Sequence, residues 1–226
     1  HQSVNTDRAL REAVSSARWE KAFPPPGRRH QGAVQSTAFS PDGLWVVSGG
    51  EDGTIRIWYA SDLKPYKLFY GHAGSVWSVD FSPDGRQIVS GGQDGTVRLW
   101  DVAEQSQVVI FEGHAGSVRA VGFSPDGKFI VSGGTDGTVR LWDVAGQKQV
   151  ARFEGHTGSV WSVDFSPDGT QIVSGSTDGT IRLWEVASQQ QLPQFEVDAG
   201  VIRSVRFSPD GTQIGAVGDY DGVYVW

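Results

Sequence analysis

The chain has 226 residues, a net charge of −7 at pH 7, 38% hydrophobic and 20% charged residues, and neither cysteine nor methionine. Without cysteine there is no disulfide and no thiolate metal site, and no apolar run approaches the roughly 20 residues a membrane-spanning helix needs. Residues 1–30 carry six basic and three acidic side chains (+3), which leaves −10 on the remainder, a balance that argues against general binding to nucleic acid or to an anionic membrane.

In chain order, Asn5–Ala17 (NTDRALREAVSSA) reads as one helix. Asn5 or Thr6 can cap it, and Ala9, Leu10, Ala13 and Val14 form an apolar stripe. Residues 1–16 are therefore expected to be a linker helix, and 17–226 the main domain. A start at His1 and the lack of methionine make an excised piece of a longer polypeptide the expectation, with an upstream domain as one partner. No secretory signal with a charged start and an apolar centre is present, and a cysteine-free chain is compatible with a reducing cytoplasm, the expected location. Ala17–Phe23 (ARWEKAF) is a candidate strand, and Pro24-Pro25-Pro26 follows it. Prolines of this kind belong at a sheet edge rather than in its centre.

From here one period governs the chain. FSPDG occurs at 39–43, 81–85, 123–127, 165–169 and 207–211, always 42 residues apart, and a fixed period of this length means an array of equal units. His30, His72, His114 and His156 keep the register, as do Trp58, Trp100, Trp142, Trp184 and Trp226. Within residues 72–113, Val76–Phe81 reads as a strand and Ser82-Pro83-Asp84-Gly85 as a turn. Gln87–Gly91 is a second strand, Asp94-Gly95 a hairpin signal, Thr96–Trp100 a third strand and Gln107–Phe111 a fourth. One such sheet cannot bury both faces alone, so repeated four-stranded blades set radially, a β-propeller, are the stable arrangement.

The Gly-His pairs (71–72, 113–114, 155–156), the Asp-Gly-Thr turns and the Trp-Asp pairs (100–101, 142–143) resemble the WD-repeat β-propellers over about residues 27–226. The resemblance implies an all-β fold of five 42-residue WD repeats, starting near 30, 72, 114, 156 and 198. It also implies a buried His, Ser, Asp, Trp hydrogen-bond tetrad in each blade. Carried onto this sequence, the tetrads are His30, Ser48, Asp52, Trp58; His72, Ser90, Asp94, Trp100; His114, Ser132, Asp136, Trp142; and His156, Ser174, Asp178, Trp184. The chemistry is coherent, because a buried indole N–H needs an acceptor and a chain of partners ending in a carboxylate supplies one. The helix at 5–17 is similar to the linker ahead of propellers in bacterial signalling ATPases of the NACHT/STAND type; a nondescript interdomain linker is the alternative.

The fifth repeat departs from the pattern. Asp198 stands where His is expected, Ala216 replaces Ser, and Asp221-Gly222 is shifted by one residue. Terminal repeats are often atypical, and this one is expected to be the least stable. The chain stops on its third strand, Val223–Trp226, so Ala17–Phe23 is expected to complete that blade and close a five-bladed ring. The alternative is an arc of a larger ring, seven blades being usual in the family the repeats resemble.

Catalysis and metal binding fare poorly against these residues. Each Ser, His and Asp set recurs four times, is expected to be buried and lacks a GxSxG-type motif. The repeated histidines lie on different blades and cannot converge on one ion. Asp219-Tyr220-Asp221-Gly222 is faintly like a calcium loop, but Val217 occupies the first ligand position. No GxxxxGK[ST] or GxGxxG appears, so no cofactor and no enzyme activity are expected. Arg56, Arg98, Arg140 and Arg182 precede each Trp by two positions and read as charged side chains shielding strand faces, not as a nucleic-acid stripe.

The positions that vary while their neighbours repeat carry more information. Gln35, Trp77, Arg119, Trp161 and Arg203 follow the first valine or isoleucine of strand one, and Glu51, Gln93, Thr135, Thr177 and Asp219 precede the tetrad Asp position. The resemblance implies that both sets line the top face around the central channel. Trp and Arg dominate interface hot spots because they join large contact area to directional donors; alternatively, Trp77 and Trp161 fill inter-blade space. The reading is a non-enzymatic, monomeric module that presents this face to a protein or peptide, as the sensor or scaffold part of a signalling protein. A structural spacer or oligomerisation platform without its own ligand is the alternative, and an accessory domain attached to a kinase or protease is a third.

Overall fold

A computed structural model describes residues 29–192, 195–196, 200–219 and 222–226. The expected helix at 5–17, the strand at 17–23 and residue Asp198 lie outside them, and with them the proposed closing of the last blade. The described residues form nineteen strands in five antiparallel sheets.

Blade one contains β1 (Val34–Phe39), β2 (Trp45–Gly50), β3 (Thr54–Tyr59) and β4 (Pro65–Tyr70). Blade two contains β5 (Val76–Phe81), β6 (Gln87–Gly92), β7 (Val97–Asp101) and β8 (Ser106–Phe111). In blade three these are β9 (Val118–Phe123), β10 (Phe129–Gly134), β11 (Val139–Asp143) and β12 (Lys148–Phe153). Blade four has β13 (Val160–Phe165), β14 (Gln171–Ser176), β15 (Thr180–Glu185) and β16 (Phe195–Glu196), and blade five has β17 (Ile202–Phe207), β18 (Ile214–Gly218) and β19 (Val223–Val225). In blade two, four of the eight strand ends agree with the sequence reading and the other four differ by one residue.

Turn chemistry explains the register. In every FSPDG the Ser hydroxyl donates to the Asp carboxylate two residues on, as at Ser82–Asp84 (2.6 Å), and accepts the first N–H of the next strand in the first four, as at Gln87 (2.9 Å). Gly85 then takes φ +71°, a left-handed conformation that a side chain would strain. A register shift recurs near the start of the inner strands, for instance between Val76 and Ser78, and such a bulge re-aims the intervening side chain, here Trp77.

The blades pack in sequence through their inner strands: β1 on β5, β5 on β9, β9 on β13 and β13 on β17. Among the described residues no comparable packing joins β17 to β1. Each junction is a separate apolar wedge. Val47, Ile55, Ile57 and Phe69 of blade one face Val76, Val79, Phe81, Ile88 and Trp100 of blade two, and the set recurs between blades two and three. Burying a large apolar side chain stabilises by about 1.5–3 kcal/mol, so the core is spread over the junctions rather than held in any one blade.

Candidate functional site

The strand order places two ends on the array. The FSPDG turns join inner strands to second strands at one end. The β2–β3 type turns and the starts of the inner strands lie at the other, which is where the variable Trp, Arg and acidic residues sit. The repeated tetrads run beneath it.

All four sets named above are brought together as hydrogen-bonded chains. Trp142 Nε1–H donates to Ser132 Oγ (2.8 Å), leaving the serine hydroxyl to donate to His114 Nε2 (2.8 Å) and His114 Nδ1–H to donate to Asp136 (3.0 Å). The same links join His30, Ser48, Asp52 and Trp58, His72, Ser90, Asp94 and Trp100, and His156, Ser174, Asp178 and Trp184. Burial pushes the His72 and His114 rings below the ordinary histidine value and His156 down to about 4, although the neighbouring aspartates pull the other way. Burial alone would raise the aspartates, but hydrogen bonds from His, Thr and backbone N–H outweigh it. They hold Asp52 and Asp178 at about 2 and Asp94 and Asp136 well below the usual carboxylate range. In blades two to four the tetrad is thus a neutral ring bonded to an ionised carboxylate. In blade four, Ser176 replaces the glycine that abuts the histidine in blades one to three, and the His156–Asp178 contacts are the longest, at 3.1 and 3.3 Å.

The arginine row extends these chains. Arg98 reaches Asp94 (3.2 Å), Thr96 (3.1 Å) and Gln107 (2.7 Å), and Arg140 repeats the set with Asp136, Thr138 and Gln149. Arg56 pairs with Asp52 (3.6 Å) and Arg182 donates to Gln191 (2.6 Å). Three of these arginines thus pair with tetrad carboxylates, a role beyond shielding strand faces.

Above the tetrads, the variable positions form a ladder. The Arg119 guanidinium lies 3.9 Å from the Trp77 ring centre and 5.8 Å from that of Trp161, and Arg203 lies 4.2 Å from Trp161. Asp219 ends the row, accepting two bonds from Arg203 (2.5 and 3.1 Å). Stacked cations on indole faces are worth about 0.5–2 kcal/mol each, more as water is excluded. Arg119 differs from Arg203. Burial alone lowers its pKa, no carboxylate among the described residues pairs with it, and Arg119 Nε and Trp77 Nε1 are buried without a hydrogen-bond partner among them. Gln35 stands apart, bonded to Glu51 (3.0 Å).

The second variable set serves mainly local geometry. Glu51 accepts the Ala33 N–H (3.0 Å), Gln93 that of Ser75 (3.2 Å) and Thr177 that of Ser159 (2.8 Å), so each braces the loop entering its blade. Thr135 packs against Gly116. Three residues were missed by the sequence reading: Asp80, Asp164 and Arg206, at one position of the inner strand. Asp80 accepts the Phe123 N–H of the next blade (3.0 Å), Asp164 that of Phe207 (2.9 Å), and Arg206 donates back to Ser162 (3.1 Å) and the Val163 carbonyl (3.2 Å). The signal was available, since Ala38, Asp80, Gly122, Asp164 and Arg206 vary between repeating neighbours. Burial raises Asp80 to about 6 and Asp164 in the same direction.

Among the described residues no three His, Asp or Glu side chains are placed to hold a metal ion. Tyr220 and Asp221 of the calcium-like stretch lie outside them.

Comparison with known proteins agrees with this architecture. The family described as IFT122 first beta-propeller matches residues 75–226, and the one described as WD domain, G-beta repeat, matches residues 26–59. Ribosome biogenesis protein erb1 of Aspergillus fumigatus is 55% identical over 31 residues, which are 14% of this chain and 4% of that protein. The ERB1 proteins of Coccidioides immitis and Pyricularia oryzae match with the same identity, length and shares. The chain therefore spans a small part of the length of these curated relatives, less than one repeat's worth.

Proposed function

The chain belongs to the WD-repeat β-propeller family, and from that membership we propose that it is a non-catalytic interaction module holding a protein or peptide against the end where Trp77, Arg119, Trp161 and Arg203 stack. Propellers of this family are in general protein-interaction or scaffold modules. The observation that carries the finer reading is the ladder: two indoles and two guanidiniums in one row, on the residues that differ between otherwise repeating blades. Such a row offers flat apolar area with directional donors, the combination that hot spots use. Arg119, stacked but without a carboxylate, is the donor available to a ligand's acceptor groups.

In this reading the module acts as the sensor or scaffold part of a longer cytoplasmic polypeptide, monomeric by itself, with no nucleic acid, membrane or cofactor involved. A bacterial signalling protein would be the setting if the linker resemblance at residues 5–17 holds; the curated relatives that match are fungal. Ribosome biogenesis, named for those fungal proteins, is not carried over on a match of 31 residues.

The spacer reading keeps one specific support. Repeats 72–113 and 156–197 are nearly identical over most of their length, as blades without specialised ligands would be. A pull-down from source-cell lysate separates the two. It compares the parent with the Trp77→Ala, Arg119→Ala, Trp161→Ala triple variant, after the variant is shown to melt with the parent. Loss of a specific partner in the variant is the expected result; identical capture by both proteins, or none by either, overturns the interaction reading in favour of the spacer.

A further inference from the structure

The variable residues come in pairs, one pair per blade: Gln35 with Glu51, Trp77 with Gln93, Arg119 with Thr135, Trp161 with Thr177 and Arg203 with Asp219. In blades one and five the pair closes on itself. Gln35 donates to Glu51 (3.0 Å), and Arg203 donates twice to Asp219 (2.5 and 3.1 Å). In blade three the pair is open. The residue opposite Arg119 is Thr135, which carries no charge, and the Arg119 guanidinium has neither an ion-pair nor a hydrogen-bond partner among the described residues.

Stacking does not use up this cation. The guanidinium lies 3.9 Å from the Trp77 ring centre and 5.8 Å from that of Trp161. Contact of that kind engages the flat face of the group and leaves the N–H groups, which lie in its plane, for an acceptor. Nε is buried, but the two terminal nitrogens are not. Its neighbours add donors. Gln93 Oε1 accepts the Ser75 N–H (3.2 Å), which leaves the side-chain N–H groups to donate. Ser117 Oγ donates to the Gln93 carbonyl (3.3 Å), so the turn that carries Gln93 lies against the strand entry that carries Arg119. No variable residue of blades two to four is acidic.

We propose that the peptide held at this end carries an aspartate or glutamate whose carboxylate takes the place at Arg119 that Asp219 takes at Arg203, an inference that rests on the interaction reading above. The Arg203–Asp219 pair shows that a guanidinium stacked in this row still accepts a carboxylate on its edge through two hydrogen bonds, the charge-assisted fork that arginine favours. The net charge of −7 would by itself draw basic peptides. An acidic preference therefore has to come from a local donor, and Arg119 is that donor.

The test is a positional-scanning peptide library with one position fixed in turn as Asp, Glu, Asn, Gln, Lys or phosphoserine. It is applied to the immobilised parent and to Arg119→Gln, Thr135→Asp and Arg203→Gln, each first shown to melt with the parent. At one position the parent should retain the Asp and Glu pools about tenfold over the Asn and Gln pools, the ratio that one charge-assisted hydrogen bond supplies. Arg119→Gln removes the donor, and Thr135→Asp closes the pair from within. Both should abolish the ratio while still retaining peptides through Trp77 and Trp161, and Arg203→Gln should leave the ratio unchanged. Peptides that are retained by the parent and lost in Trp77→Ala, but show no acidic preference, overturn this inference and leave the interaction reading standing. A preference for lysine, or for phosphoserine without Asp or Glu, overturns it too, as does an acidic preference that survives in Arg119→Gln or Thr135→Asp. Retention of no peptide by any of the chains overturns both readings.

Discussion

In blade three, Ser132 joins Trp142 to His114, Gly133 receives Val160, and Leu141 is sealed beneath blade four. The same register positions in blade five hold Ala216, Val217 and Val225. Both sets still form an antiparallel sheet with the same strand order. The tetrad and the interlocking glycine are therefore not what makes a blade. Strand pairing, the Ser-Pro-Asp-Gly turn and one apolar face packed on the preceding blade suffice, as Ile202, Val205 and Ile214 show against Val173 and Ile181. What the tetrad and glycine add is the second face: a blade that has them can be built upon.

The largest effect that sharpens this contrast is Leu141→Ala against Val225→Ala. Leu141 is 1% exposed and packs in the wedge between blades three and four, whereas Val225 is 57% exposed. Truncating a sealed leucine costs about 2–5 kcal/mol through lost burial and the cavity left behind. An exposed valine should cost no more than about 0.5 kcal/mol. Urea unfolding of both variants measures it, and equal losses would mean that the face of blade five is covered in solution.

Next in size is the serine. Ser132→Ala leaves Trp142 Nε1–H without its acceptor and His114 Nε2 without its donor, both inside the blade. Each buried orphan costs about 1–3 kcal/mol, so a loss of about 3 kcal/mol is expected. The reverse change in blade five, Ala216→Ser, installs the hydroxyl without a histidine in register and should gain nothing. A gain above about 1 kcal/mol would show that the hydroxyl finds a buried partner in blade five without a tetrad histidine.

Much of this was legible in the sequence, and the reason is the period. Five copies of a turn motif fix register for every residue between them, so His114, Ser132, Asp136 and Trp142 can be placed on one blade without coordinates. What the period cannot reveal is contact between copies. Trp77 and Arg119 lie 42 residues apart and stack only because neighbouring inner strands pack side by side. Asp80 drew no reading from the sequence because its acceptor role runs to the backbone of the next blade. Glu51 and Gln93 were read as ligand-facing, but each also accepts the backbone N–H one residue before the inner strand of its own blade, that of Ala33 or Ser75.

The smallest effect is the response to acid, and it separates blades with a tetrad from the blade without one. His156 takes up a proton less readily folded, at about 4, than at its ordinary 6.5. Its stabilising contribution is therefore complete above pH 6.5 and is lost as pH falls from there towards 4. At pH 5 the loss is about 2 kcal/mol. His72 and His114 act in the same direction. The tetrad aspartates do not enter this window, because their contribution fades only below pH 3.8. Asp80 opposes the histidines. Burial raises it to about 6, so folding is penalised once pH exceeds 3.8 and the penalty is relieved as pH falls through 6. Between pH 7 and 5 that relief amounts to roughly 1 kcal/mol. The parent should thus lose stability only gently on mild acidification, and Asp80→Asn should deepen the loss by roughly 1 kcal/mol. Urea midpoints at pH 7 and pH 5 for the two chains test the sum, and ring-proton titration of His156 tests its origin. A His156 signal that titrates near 6.5 would remove the argument, because the ring would then be open to water and the tetrad no firmer than the Ala216 position it is contrasted with.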